Sequence, residues 1–112
     1  MNIYYITQHV NNVLNTYHHA IVLAEDSEEA RRIHPGNAKW MNDKLFQWQW
    51  KYNDQLECLY IKEWFEANEE DVEELNRCWT HFSNVQVTLI GKADDDFIQS
   101  QHHQVITSFY MQ

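Results

Sequence analysis

Glycine and proline are scarce in this chain of 112 residues, which has two of the first and one of the second. Few bends can use the freedom of glycine, so Asn and Asp are expected to carry the tight turns. The scarcity also argues against a phosphate-cradling loop: G-x-x-x-x-G-K-[ST] and G-x-G-x-x-G are both missing. No G-x-S-x-G elbow marks a serine nucleophile. No apolar run approaches the roughly 18 residues of a membrane helix. The opening Met1-Asn2-Ile3-Tyr4-Tyr5 lacks a basic stretch ahead of an apolar run, so no export signal is read there. Cys58 and Cys78 are the two cysteines, without C-x-x-C spacing. In a chain with no export signal they are expected as free thiols, with a disulfide as the lesser alternative. Positive charge is short as well: 8 Lys and Arg stand against 17 Asp and Glu, for a net charge of −9. Phosphate neutralisation needs Lys and Arg, so direct nucleic-acid binding and attachment to an anionic membrane are disfavoured.

What is present is a globular composition. Hydrophobic residues make up 44%, enough to leave disorder behind. The length suits a single domain, residues 1–112, able to bury roughly two-thirds of its unfolded surface. Residues 2–9 and 17–24 read as strands joined by a polar loop around Asn11-Asn12 and Asn15-Thr16, which suggests an antiparallel hairpin. Asp26 or Ser27 can cap a helix over 27–34, with Glu29 placed as in a capping box and Pro35 ending it. From Phe46 to Tyr52 rings alternate with Gln47, Gln49 and Lys51, which is strand periodicity. A partner strand over 55–65 after a turn at Asn53-Asp54 gives a hairpin; a helix from Trp40 to Trp50 is the alternative. Residues 69–82 carry an apolar stripe of Val72, Leu75, Trp79 and Phe82 at helical spacing, with Asn68 as the cap. Strands over 85–91 and 104–110, joined by the polar connection 92–101, are expected to pair with each other. The resulting class is α+β: a mainly antiparallel sheet of about four to six strands, with two helices packed on one face.

Residues 20–35, Ala-Ile-Val-Leu-Ala-Glu-Asp-Ser-Glu-Glu-Ala-Arg-Arg-Ile-His-Pro, resemble a pattern in short uncharacterised open reading frames of bacteria and their phages. The strand Val85-Gln-Val-Thr-Leu-Ile-Gly-Lys-Ala93 and the final Val105-Ile-Thr-Ser-Phe109 are similar to later parts of that group. The resemblance covers about the first third and the last quarter. It implies a phage-linked protein in the cytoplasm of a bacterial host and brings no chemistry with it. The ending Phe-Tyr-Met-Gln departs from the small residues of the group.

Seven histidines invite a metal reading. Zinc needs three or four converging ligands, and adjacent histidines such as His18-His19 or His102-His103 point to opposite faces of a strand. Cys78 and His81 could share a helix face but lack further ligands. No metal or other cofactor is therefore expected. His34, just before Pro35, is expected to bond the frayed carbonyls at the end of its own helix. A Cys–His pair would exist only if the fold brought a thiol and a ring together.

Two features carry the functional expectation. From Glu57 to Glu74 eight acids accompany a single base, Lys62, and five acids crowd the start of the helix 69–82. Helix-dipole stabilisation of a solvated end accounts for such a cluster; imitation of nucleic-acid phosphate is the functional alternative, drawing the Arg residues of a basic partner. Five tryptophans mostly serve a core, and one or two left outside would make an interface. The expected partner-binding residues are Glu66, Glu69, Glu70, Asp71, Glu73 and Glu74, with Trp48, Trp50 and Trp64. The expected function is that of a non-enzymatic binder of a host protein with a basic surface, such as a phage inhibitor of a host defence system of the anti-CRISPR kind. The alternative is a homo-oligomeric structural or accessory domain, such as a homodimer, whose aromatic hairpin pairs with itself.

Overall fold

The computed structural model describes residues 1–10, 15–53, 59–100 and 104–111, and leaves out the side chains of 49–53, 59–62, 100 and 111. The turns expected at Asn11-Asn12 and Asn53-Asp54, together with Cys58, His102 and His103, lie outside the described residues.

Asn2–Thr7 (β1) and Thr16–Ala24 (β2) form the expected antiparallel hairpin, with Ile6 opposite Ala20 and Tyr4 opposite Val22. Their inward residues Tyr4, Ile6, Ala20, Val22 and Ala24 are buried. The small alanines let a helix lie close, and Ser27–Arg32 (α1) packs there through buried Ala30. Asp26 caps α1 by accepting from the Glu29 N–H (2.8 Å), and Glu29 Oε1 accepts from the Glu25 N–H (2.9 Å). α1 ends two residues before the expected His34, because Ile33–His34 (β3) turn extended and pair with Ala38–Met41 (β4).

The middle is a hairpin, not a helix. Lys44–Asn53 (β5) pairs with β4 on one side and with Leu59–Glu66 (β6) on the other. Asn42 and Asp43, both at positive φ (51° and 65°), make the two-residue turn between β4 and β5. Asn15 and Asn37 are also at positive φ, while neither glycine is, so the amide and acid residues do take the place of glycine.

Glu69–Cys78 (α2) is capped by Asn68, which accepts from the Asp71 N–H (2.8 Å). It ends before the expected Phe82: Trp79 is extended and a 3-10 turn follows over Phe82–Asn84. The apolar stripe is split between two cores. Trp79 joins Tyr4, Ile6, Val22 and Ile33, whereas Leu75 joins Ala38, Trp40 and Leu45, with Val72 and Phe82 beside them.

Gln86–Lys92 (β7) and Val105–Met111 (β8) do not pair with each other. β7 lies against β1 and β8 against β2, giving the order β7-β1-β2-β8. The connection holds a helix that its polar composition hid, Asp95–Ser100 (α3), with Asp94 accepting from the Phe97 N–H (2.8 Å). That connection carries the chain across the sheet, and apolar β2 gains a neighbour on each side. The architecture is therefore α+β with two antiparallel four-stranded sheets, β7-β1-β2-β8 and β3-β4-β5-β6. In place of one sheet there are two; α1 packs on the first, and α2 touches β2 of the first sheet while its Leu75 enters the core of the second. Among the described residues no helix is long and apolar enough to cross a membrane.

Candidate functional site

α2 presents its acids in the first two turns, where the free backbone N–H groups favour negative charge. Glu69, Glu70, Glu73 and Glu74 are exposed and Asp71 is half-buried. Among the described residues none of these five forms an ion pair with Lys or Arg; the pairs are Arg31–Glu28, Lys39–Glu29 and Lys44–Glu66. Glu66, at the end of β6, thus already has a cation 3.5 Å away, and both side chains are more than half exposed.

A groove of about 690 Å³ runs along α2 and contains Asp71 and Glu74. Arg77 and Cys78 continue that wall. The opposite wall comes from the first sheet, where Tyr17 and Tyr110 meet edge to face at 4.9 Å. Tyr17 is the second residue of β2 and Tyr110 the second-last of β8; no local sequence signal joins residues so far apart, and only their cross-strand register does.

His34 lies against this groove and is fully buried. Its Nδ1 accepts from the Gly36 N–H (2.9 Å), so the proton sits on Nε2, which donates to the Leu75 carbonyl (2.8 Å). The ring thus closes the end of α2, not of its own helix. Burial pushes the imidazole down to about 4, against the opposing effect of the Leu75 bond. The fold does bring a thiol close: Cys78 Sγ lies 3.9 Å from His34 Nε2 and 3.5 Å from the Leu75 carbonyl. The pair is not arranged as a nucleophile and base. Burial raises the Cys78 thiol, and both ring nitrogens of His34 are engaged elsewhere.

The tryptophans are placed apart from the acids. Trp48 and Trp64 face each other across β5 and β6 with ring centroids 5.2 Å apart. They line a second cavity, of about 240 Å³, together with Leu23, Ile33, Ile98 and Val105. Gln47 borders the acidic groove, and neighbours on a strand point to opposite faces, so the Trp48–Trp64 pair turns away from it. Trp50 sits opposite Lys62 in the backbone register; its side chain lies outside the described residues. Trp40 and Trp79 are core.

Among the described residues no three His, Cys, Asp or Glu side chains converge on a point that could hold a metal ion. His18 and His19 belong instead to a ring cluster across three neighbouring strands of the first sheet, with His19 of β2 between Tyr5 of β1 (5.3 Å) and Phe109 of β8 (4.1 Å). No family model matches the chain, and no curated protein or solved structure matches it.

Proposed function

We propose that this protein is a non-enzymatic binding module whose acidic helix α2 engages a basic surface of a host protein. The observation that carries this reading is the row of five carboxylates, Glu69 to Glu74, with no cation partner among the described residues. Such carboxylates keep their full field for a partner, steer its approach and meet Arg side chains in two-pronged hydrogen bonds. The net charge of −9 extends that field over the molecule. The partner that fits is a nucleic-acid-binding protein whose basic groove the carboxylates occupy in place of phosphate. A phage-encoded inhibitor acting in the cytoplasm of a bacterial host would work in this way.

The binding face is assigned to α2 and the groove beside it, with Glu66 at its margin because Lys44 already neutralises it in part. The test is capture of partners from a bacterial lysate at low and at high salt, with the native chain and with Glu69, Glu70 and Glu73 changed to Lys. A stoichiometric basic partner, lost at high salt and lost from the triple variant, is the expected result. Equal capture by the two chains would remove the acidic helix from the interface.

A second reading, self-association, has its own observation. β7 is an edge strand carrying Leu89 and Ile90, which are 60% and 53% exposed, and such an edge is a template for another strand.

A further inference from the structure

We infer that the face of the first sheet turned away from α1 is an interface with a second copy of this chain, the two sheets packing face to face about a two-fold axis. This goes beyond the acidic-helix reading and does not depend on it. The groove beside α2 opens on the other side of the sheet, where Tyr17 packs against the first core.

The backbone register defines the face. One row crosses all four strands as Thr88-Tyr5-Ile21-Thr107, and the next row carries His19 opposite Phe109. Residues opposite each other across a ladder share a face, and successive residues of a strand change face. Tyr4, Ile6, Ala20 and Val22 therefore point the other way, into the first core, and are buried. None of the six on the outer face is buried. Thr88, Thr107 and Phe109 are exposed, and Tyr5, Ile21 and His19 are half-buried. The three rings pack on one another across β1, β2 and β8, which gives the face an apolar centre.

Charge selects the occupant. None of the 17 acids falls within β1, β2, β7 or β8, and Lys92 is their one Lys or Arg. A basic partner finds no carboxylate on these strands. A nucleic acid or an anionic membrane finds no row of cations. What fits is an uncharged protein surface. Two copies meeting by this face keep the acids of α1 and α2 on their far sides. A two-fold contact needs a surface that complements itself, and a face without charge does so.

Area points the same way. The chain exposes 7292 Å², where a lone folded chain of 13.6 kDa exposes about 6,600 Å². The surplus of about 700 Å² is close to the roughly 800 Å² that each partner hides in a standard interface. Two sheets packed face to face bring their strands within about 30° of each other and interdigitate their side chains.

The experiment is light scattering on the full chain over a range of concentration, at low and at high salt. The native chain should reach twice 13.6 kDa. The dimer should be tighter at high salt, because salt screens the −9 that each copy carries. Capture of a basic partner weakens at high salt, so the two surfaces stand or fall separately. Thr88→Lys with Thr107→Lys places cations on exposed positions of both copies, and it should give the single-chain mass although it lowers the net charge. Phe109→Lys, at a ring 47% exposed in the single chain, should do the same. Ile90→Lys, which blocks the β7 edge, should leave the dimer in place. Circular dichroism matching the native chain shows that each variant is folded. A single-chain mass for the native protein at every concentration overturns the inference. So does a dimer that survives both face variants, is lost with Ile90→Lys alone, or weakens as salt rises.

Discussion

At the residue scale, His34 ties the turn after β3 to the end of α2 and to the rings of the first core. It accepts from Gly36, donates to the last turn of α2 and stands edge-on to Tyr17 and Trp79. Its cost appears in acid. Folded, the ring protonates near 4; unfolded, it returns to 6.5. Between those values the unfolded chain binds more protons, so stability falls as pH drops from 6.5 towards 4, and His34 adds no pH dependence above 6.5. The full span corresponds to about 3 kcal/mol. His34→Gln can offer an acceptor to Gly36 and a donor to Leu75 without titrating. Urea unfolding at a series of pH values should show a loss towards acid in the native chain and a flatter profile in the variant. Equal slopes would show that other groups govern the acid limb. The sequence singled out this residue and its partner type, a helix-end carbonyl. It could not say which helix, because Leu75 is 41 positions away and reaches the ring only through packing.

At the element scale, α2 is the clearest product of local rules. Asn68, the acids behind it and the stripe Val72-Leu75 are all local in sequence, and each holds in the structure. Replacing Asn68 with Ala removes the acceptor for the Asp71 N–H and should lower stability by about 1 kcal/mol, measured by chemical denaturation. Salt-sensitive partner capture should persist in this variant, since the carboxylates stay; its loss would mean that the cap orders the binding face. α2 stops short of its stripe: helical spacing continues through Trp79 and Phe82, but Trp79 is drawn into the first core and Phe82 packs against the second. Periodicity reports which residues are buried, not whether they are buried in one place. α3 is the reverse case: the acids of the connection 92–101 have the composition of a loop, yet Asp94 caps a helix there.

At the scale of the whole molecule, two antiparallel sheets share the burial that one sheet was expected to supply. The exposed edge at β7 and the high negative charge push in opposite directions, one towards association and the other away from it. Self-association through that edge predicts a mass of twice 13.6 kDa in light scattering, maintained on dilution and reduced to the single-chain value by Ile90→Lys. A single-chain mass for the native protein at every concentration, at high salt as well as low, removes that reading.

Determined by the sequence alone were the α+β class, the first hairpin, the cap at Asn68, and the use of Asn and Asp in place of glycine; the ring-bearing segment was open between hairpin and helix, and the first cap between Asp26 and Ser27, until the structure chose. The features so determined depend on neighbours within a few residues, where backbone preference and side-chain period act directly. Tertiary structure alone decided that β7 and β8 flank the first hairpin, that Cys78 meets His34, and that Trp48 and Trp64 share a cavity away from the acids of α2. Those outcomes turn on which buried faces meet across long stretches of chain, and apolar surface is attracted to other apolar surface without regard to its position in the sequence.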